Sequence, residues 1–374
     1  MIEKLKGYVK ADPVLGAAWL LAILSAFVVR PDREYIDYID ADTLFLLFAL
    51  MAAMAGFKSL GLFQSLGGAL LSKARTSRGV KLSLVLLCFF SSMFITNDVA
   101  LITFVPFGIV TLKMAKLDEM IVPVAALQTV AANLGSMVTP MGNPQNIYLY
   151  FKSGMTAAEF IRLTCPYALL ALVMLWACCM MGKKQTIQFR RDSSEGKSFS
   201  TDIRFWIYLA VFAICLCALG KLVPSYIAAA AAVIAVFAAD RDVLGKVDYG
   251  LLLTFIGFFI FVGNMGRISA FSQVLADVIE GHEMAVAAAT SQVISNVPAV
   301  LLLTGFTHNW EALIIGSNLG GLGTLIASMA NLISYKWVCK ETAHFRHAYV
   351  RLFTAASLMF LAAECMLFFC IKIV

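Results

Sequence analysis

Residues 91–107 read SSMFITNDVALITFVPF, and the rest of the chain can be read outward from them. An apolar arm, Leu82 to Ile95, runs into Thr96, Asn97 and Asp98, and a second apolar arm, Val99 to Leu112, leads away. Each arm falls short of the roughly 20 apolar residues that span a bilayer. A polar break between two short arms predicts a re-entrant helical hairpin over 82–112 with its tip inside the membrane. Irregular backbone at that depth must be buried in protein or line a wet cavity. An ionisable residue there, Asp98, marks a functional site.

Residues 290–307, TSQVISNVPAVLLLTGFT, repeat the pattern, and predict a second hairpin over 284–306. Ile95-Thr96-Asn97 aligns with Ile294-Ser295-Asn296. Each hairpin is followed by an apolar helix with a Gly-rich polar break, over 120–150 and 311–335. ANLGSMVTPMGNPQNI (132–147) aligns with SNLGGLGTLIASMANLI (317–333). Asn133, Leu134, Gly135, Thr139, Asn146 and Ile147 match Asn318, Leu319, Gly320, Thr324, Asn331 and Leu332. The chain carries an internal repeat.

The composition sets the class. Of 374 residues, 61% are hydrophobic and only 14% charged, and mean hydropathy is +0.85. A soluble domain could not hide that much apolar surface, so the chain reads as an all-α polytopic membrane protein. The net charge of +6 sits mostly in loops, which suits topology rather than nucleic-acid binding. The run Val14 to Val29, preceded by Lys4, Lys6 and Lys10, reads as an uncleaved first helix. Cys178 and Cys179 are adjacent on a helix and project about 100° apart, so they do not converge on one metal. The nine cysteines show no CxxC pattern, and read as inert thiols.

Lys and Arg placement gives the topology. Lys183, Lys184, Arg190, Arg191, Lys197 and Arg204 put the loop Gly182 to Arg204 in the cytoplasm, and the N-terminal lysines put the N-terminus there too. The acidic loop Arg30 to Asp42 falls outside. Lys58 to Lys73 reads as an amphipathic arm in the inner interface, and Arg267 to Glu280 as its counterpart in the outer one. The expected division is a first repeat over 1–181, a cytoplasmic loop and linker helix over 182–224, and a second repeat over 225–374 ending outside. The halves then run in opposite orientations, an inverted repeat of about five elements each, which is the plan of secondary transporters with midplane sites.

Each break joins the free carbonyls of one half-helix to the free N–H groups of the next, and so can hold a cation or an anion. The candidate ion and substrate ligands are Thr96, Asn97, Asp98, Asn133, Thr139, Gly142, Asn143 and Asn146 in the first half. In the second they are Ser295, Asn296, Asn318, Gly323, Thr324, Ser328 and Asn331. Asp98 faces Val297 in the alignment, so only the first tip has a carboxyl group. It is the expected coupling residue, with a proton or a sodium ion at Asn97, Asp98 and Asn143. The plainer alternative is that Thr96, Asn97, Asp98, Ser295 and Asn296 merely cap helices. Glu364, midway along the last helix, reads as a hydrogen-bonded structural acid, and His308, His344 and His347 need no function. No cofactor beyond the coupling ion is implied.

At TNDVAL (96–101), TPMGNPQNI (139–147), SNVP (295–298) and SNLGGLGTLIASMANLI (317–333) the chain resembles the ion transporter superfamily. That group includes arsenite permeases, sodium/proton antiporters of the D type, divalent anion/sodium symporters and citrate transporters. The acid after Asn97 and the SNVP tip look most like the arsenite-permease and antiporter branch. Asn143 and Gln145 depart from the usual GDPPN-like pattern, replacing its acid and a proline. The resemblance implies a scaffold, a transport unit that moves as an elevator, and commonly a homodimer. The expected function is a secondary active transporter of the bacterial inner (plasma) membrane. It would move a small anion or oxyacid (arsenite, citrate, a dicarboxylate or similar) with protons or sodium; the alternative is a sodium/proton antiporter. A membrane-embedded enzyme would need convergent catalytic groups, which the sequence lacks, and a passive channel would conduct without coupling. The expected partners are the lipid bilayer, the small-ion substrate and a second copy of the chain.

Overall fold

The computed structural model describes residues 13–71, 74–182, 184–186, 202–341 and 345–373. Lys4, Lys6, Lys10, Lys73, Lys183, Arg190, Arg191, Lys197 and His344, used above to assign sides or set aside, lie outside the described residues. The described chain is helical, with no strand. Its helices are α1 Pro13–Val28, α2 Glu34–Asp37, α3 Ala41–Ser59, α4 Leu62–Leu71, α5 Ser77–Ile95, α6 Asn97–Met114, α7 Ile121–Ser136, α8 Pro144–Ser153 and α9 Ala157–Met180. There follow α10 Ile203–Leu219, α11 Ser225–Ala239, α12 Tyr249–Gly266, α13 Ser269–Ile279, α14 Glu283–Ile294, α15 Asn296–Leu303, α16 Trp310–Leu319, α17 Met329–Glu341 and α18 Arg346–Ile373.

Among the described residues, six helices are long and apolar enough to cross a membrane: α3, α5, α6, α9, α12 and most of α18. Their starts are written in the sequence. Asp40 accepts from the Thr43 N–H at 3.0 Å to start α3. Thr156 and Glu159 form a reciprocal capping box at α9. Asp248 accepts from the Leu251 N–H at 3.0 Å to start α12.

The helices pack as two sets. In one, α12 lies on α1, and α3, α10 and α11 pack on one another. In the other, the hairpin arms, the broken helices, α9 and α18 pack together, with α5 along α7 and α14 along α16. The sets meet where α12 lies against α15 and α3 against α8, while α4 runs from α3 onto α5 and α6.

Two expectations are corrected here. The arms of the first hairpin are not short: α5 has 19 residues and α6 has 18, about 28.5 and 27 Å. The apolar pattern stops at Leu82 going back, but the helix continues to Ser77, started by the Thr76 hydroxyl accepting from the Gly79 N–H at 3.1 Å. Lys81 is buried within it, its Nζ donating to the carbonyls of Cys178 at 2.8 Å and Met181 at 3.0 Å. Only the second hairpin has the short arms expected, 12 residues in α14 and 8 in α15. Glu364 is fully buried, as expected, but neither carboxyl oxygen has a hydrogen-bond partner. It sits on α18, which packs on α9 and α7; Tyr167 of α9 lies within electrostatic reach of it but makes no hydrogen bond to it.

Candidate functional site

The two tips have the same backbone. Thr96 joins α5 to α6 at φ 55°, ψ 150°, and Ser295 joins α14 to α15 at φ 74°, ψ 156°. Non-glycine residues in such conformations cost about 1–3 kcal/mol and cluster at functional sites. Neither Thr96 nor Ser295 makes the side-chain cap bond of the plainer alternative. Instead the next residue folds its amide back: Asn97 Oδ1 accepts from the Asp98 N–H at 2.9 Å, and Asn296 Oδ1 from the Val297 N–H at 3.0 Å. Asn97 and Asn296 are both buried.

Beneath the tips, the breaks of the two long helices interlock through asparagines. Asn133 Nδ2 donates to Asn331 Oδ1 at 2.7 Å, and Asn318 Nδ2 to Asn146 Oδ1 at 2.7 Å. Each donor amide also bonds the carbonyl four residues back, Thr129 at 3.0 Å and Ile314 at 2.8 Å. Each acceptor amide spans its own break. Asn146 Nδ2 donates to Ser136 O at 3.3 Å and Thr139 O at 3.4 Å. Asn331 Nδ2 donates to Gly321 O at 3.0 Å and Thr324 O at 3.1 Å. Each of these bonds in the first half therefore has its counterpart at the aligned positions of the second. An unwound break frees backbone carbonyls that must be paired when buried, and these amides pair them.

The tips dock on this lattice. Asn97 Nδ2 donates to Asn133 Oδ1 at 3.1 Å and approaches Ser328 Oγ at 3.5 Å. Asn143 Nδ2 donates to Ser136 Oγ at 2.6 Å and Asn318 Oδ1 at 3.3 Å. The Asn296 N–H bonds Ala327 O at 3.0 Å. The Thr139 hydroxyl donates to Met93 O, and the Thr324 hydroxyl to Gln292 O at 3.3 Å, again at aligned positions. Glycine permits the close approach of arm to broken helix. A Cβ on Gly135 would lie 2.1 Å from Phe89 O, and one on Gly320 would lie 2.6 Å from Ser291 Oγ. Gly142 is equally confined, 2.0 Å from Ser136 O, whereas Gly323 is needed for its φ of +102°.

Thus Asn97, Asn133, Asn143, Asn146, Asn318, Ser328 and Asn331 form one connected group. Ser295 and Asn296 adjoin it. Thr139 and Thr324 stand further out as ties to the hairpin arms, Thr324 being exposed.

Two cavities open at the tips. One, about 260 Å³, is lined by residues of both tips and both breaks, including Asn97, Asp98, Asn143, Ser295, Asn296 and Ser328. The other, about 400 Å³, lies between Thr96, Asp98 and α3. Asp98 lines both, and its Oδ1 is buried with no hydrogen-bond partner, so it does not cap α6. In the smaller cavity Asn143 Oδ1 and both polar atoms of the Gln145 side chain are also buried and unpartnered. Buried polar atoms are rarely left so. Two of the three residues expected at a sodium ion, Asp98 and Asn143, thus present free oxygens to one space, the donor type that a hard cation takes. Asn97 does not, its Oδ1 being taken by the Asp98 N–H.

Sequence reading missed four residues. Lys58, Lys246 and Asp248 line both cavities. They sit at or beside the ends of α3 and α12, outside any repeated motif, and only the closing of the helices brings them to the tips. Gln292 was also missed: its Nε2 donates to Gly320 O at 2.9 Å and Leu322 O at 2.8 Å, and its Oε1 accepts from the Thr324 N–H. Its place in TSQVISN was the available signal.

Comparison with known proteins places the chain among membrane transporters. Residues 2–309 match the family model described as "Citrate transporter". The chain is 34% identical over 329 residues to the inner membrane protein YbiR of Escherichia coli, covering 84% of each chain. It is 31% identical over 327 residues to an "uncharacterized transporter" of Methanocaldococcus jannaschii, covering 85% of this chain and 86% of that one. To the silicon efflux transporter of rice, Oryza sativa, it is 25% identical, covering 91% and 86%. These relatives are membrane transporters or membrane proteins, none named as an enzyme. The chain is a multi-pass membrane transporter and belongs to the citrate transporter family.

Proposed function

We propose that the chain is a secondary active transporter of a small anion or oxyacid, driven by protons or sodium, in the inner (plasma) membrane. The observation that carries this reading is the cavity between the two tips, where Asp98 Oδ1, Asn143 Oδ1 and the Gln145 amide are buried without partners. A coupling ion at Asp98 and Asn143 would satisfy the oxygens. The substrate would take the tip and break amides nearby. The packing of the helices into two sets supports an elevator, in which the set holding both hairpins slides against the set holding α1, α3 and α10–α12. The paired bonds at aligned positions support two repeats, over 1–181 and 225–374. We assign them opposite orientations, with the N-terminus in the cytoplasm and the C-terminus outside, and a homodimeric assembly.

Uptake by proteoliposomes tests the reading. Citrate, a C4 dicarboxylate, arsenite, silicic acid and sulfate would each be offered under an imposed proton gradient, a sodium gradient, or neither. Accumulation of at least one solute above its outside concentration, only under a gradient, is the expected result. Equal movement of solute with and without gradients would make the protein a channel. Exchange of sodium for protons with no response to any solute would make it an antiporter.

A further inference from the structure

Away from the tips, a cavity of about 650 Å³ lies among the ends of α5, α7, α9 and α18. Arg78 and Lys81 of α5 line it. Its walls are apolar: Met120 and Leu127 on one side, Leu352 and Met359 on the other, the last two themselves exposed on the outer surface of α18. Lys81 is only 7% exposed. Both cations are held by backbone carbonyls at the end of α9. Arg78 donates from Nε and Nη2 to Gly182 O at 3.2 and 2.6 Å, and Lys81 to Cys178 and Met181 as above. Neither is in an ion pair among the described residues. A buried cation without an anionic partner is costly. The carbonyls at the C-terminal end of α9 offset part of the charge, but neither Lys81 nor the partly exposed Arg78 has an anionic partner there. Glu119 also lines the cavity, but it is exposed.

We propose that this cavity is a binding site for one anionic phospholipid. The phosphodiester would lie against Arg78 and Lys81, an arginine fork and a lysine point charge being the usual phosphate donors. Its acyl chains would run along the apolar wall of α7 and α18. The site lies where α5 begins and α9 ends, the level of a headgroup for helices of this length, and basic pockets between helices at that level recruit anionic lipid. The apolar walls favour a lipid over free phosphate, which would leave them wet.

The test uses the full-length protein, purified in neutral detergent and stripped of lipid. Retained lipid would be read by native mass spectrometry and the thermal unfolding midpoint by dye binding, with added phosphatidylglycerol, phosphatidylcholine or inorganic phosphate. Phosphatidylglycerol should be retained and should raise the midpoint, while phosphatidylcholine and inorganic phosphate at equal concentration should not. Arg78→Gln and Lys81→Met should each weaken phosphatidylglycerol binding roughly fivefold, and Lys81→Arg should keep it. Equal effects of the two lipids would overturn the proposal, as would stabilisation by inorganic phosphate alone, or unchanged binding by Arg78→Gln. The lipid comparison on the unsubstituted protein decides the matter even if Lys81→Met fails to fold.

Discussion

The two hairpins share a tip and its ties to the broken helices, and differ in reach and charge. Both turn on a non-glycine residue at positive φ, and both fold an asparagine oxygen over the next N–H. Yet the first has arms of 19 and 18 residues and the second of 12 and 8. The first places Asp98 where the second places Val297. What is common is backbone geometry, the part needed to build a break inside a membrane. What differs is charge and reach, the part that can be tuned for coupling. Three experiments press on that division.

The largest effect is expected at the glycines where arm meets broken helix. Gly135→Ala drives a Cβ to 2.1 Å from the Phe89 carbonyl, which is backbone and cannot swing aside. Gly320→Ala meets first the Ser291 hydroxyl at 2.6 Å, and then the Gly316 carbonyl at 2.8 Å. We expect Gly135→Ala to abolish folded protein, as monitored by size-exclusion of a fluorescent fusion, and Gly320→Ala to leave a folded but destabilised fraction. Equal yields would mean that the arms pack alike.

Asp98→Asn comes next. Its carboxyl makes no cap bond, so the variant should fold with a midpoint close to that of the unsubstituted chain. It should lose gradient-driven accumulation in proteoliposomes, and any remaining substrate movement should be nearly independent of pH. Accumulation with unchanged pH and sodium dependence would move the coupling site elsewhere and leave the hairpins distinguished by length alone.

The smallest effect separates the two tip asparagines. Asn97 is tied by its side chain to Asn133, whereas Asn296 is tied to Ala327 by its backbone N–H, which an alanine keeps. Asn97→Ala should therefore destabilise by about 1–3 kcal/mol, the cost of leaving a buried partner unpaired, and Asn296→Ala by less. Chemical denaturation in detergent measures the difference. Equal costs would argue that the two tips are anchored alike.

Much of this was legible because the breaks are built from residues with narrow uses. Glycine and asparagine at matched places in two apolar stretches signalled unwinding, and the asparagines proved to be the ones that pair the freed carbonyls. The long arms were not legible, because Ser77 to Lys81 looks like loop until the α9 carbonyls, nearly a hundred residues away in sequence, receive Lys81. Lys58 and Lys246 were missed for a similar reason: each is an ordinary helix-end lysine until two helices from different halves converge on Asp98. Glu364 was misread in the opposite way, since a buried acid is expected to find a donor and this one has no hydrogen-bond partner, even with Tyr167 in electrostatic reach.

The crossed amide bonds also impose an order on synthesis. Asn133 finds its partner in Asn331, and Asn146 finds its own in Asn318, so each half can span its own break but cannot complete the hydrogen bonding of its asparagines unaided. With translation at about 5–20 residues per second, roughly 10–40 s separate the making of Asn133 from that of Asn331. Through that interval the first half must wait in the membrane with its amides turned to water, to the insertion machinery or to temporary partners. The nascent first half is thus a substrate for quality control until the last quarter of the chain arrives.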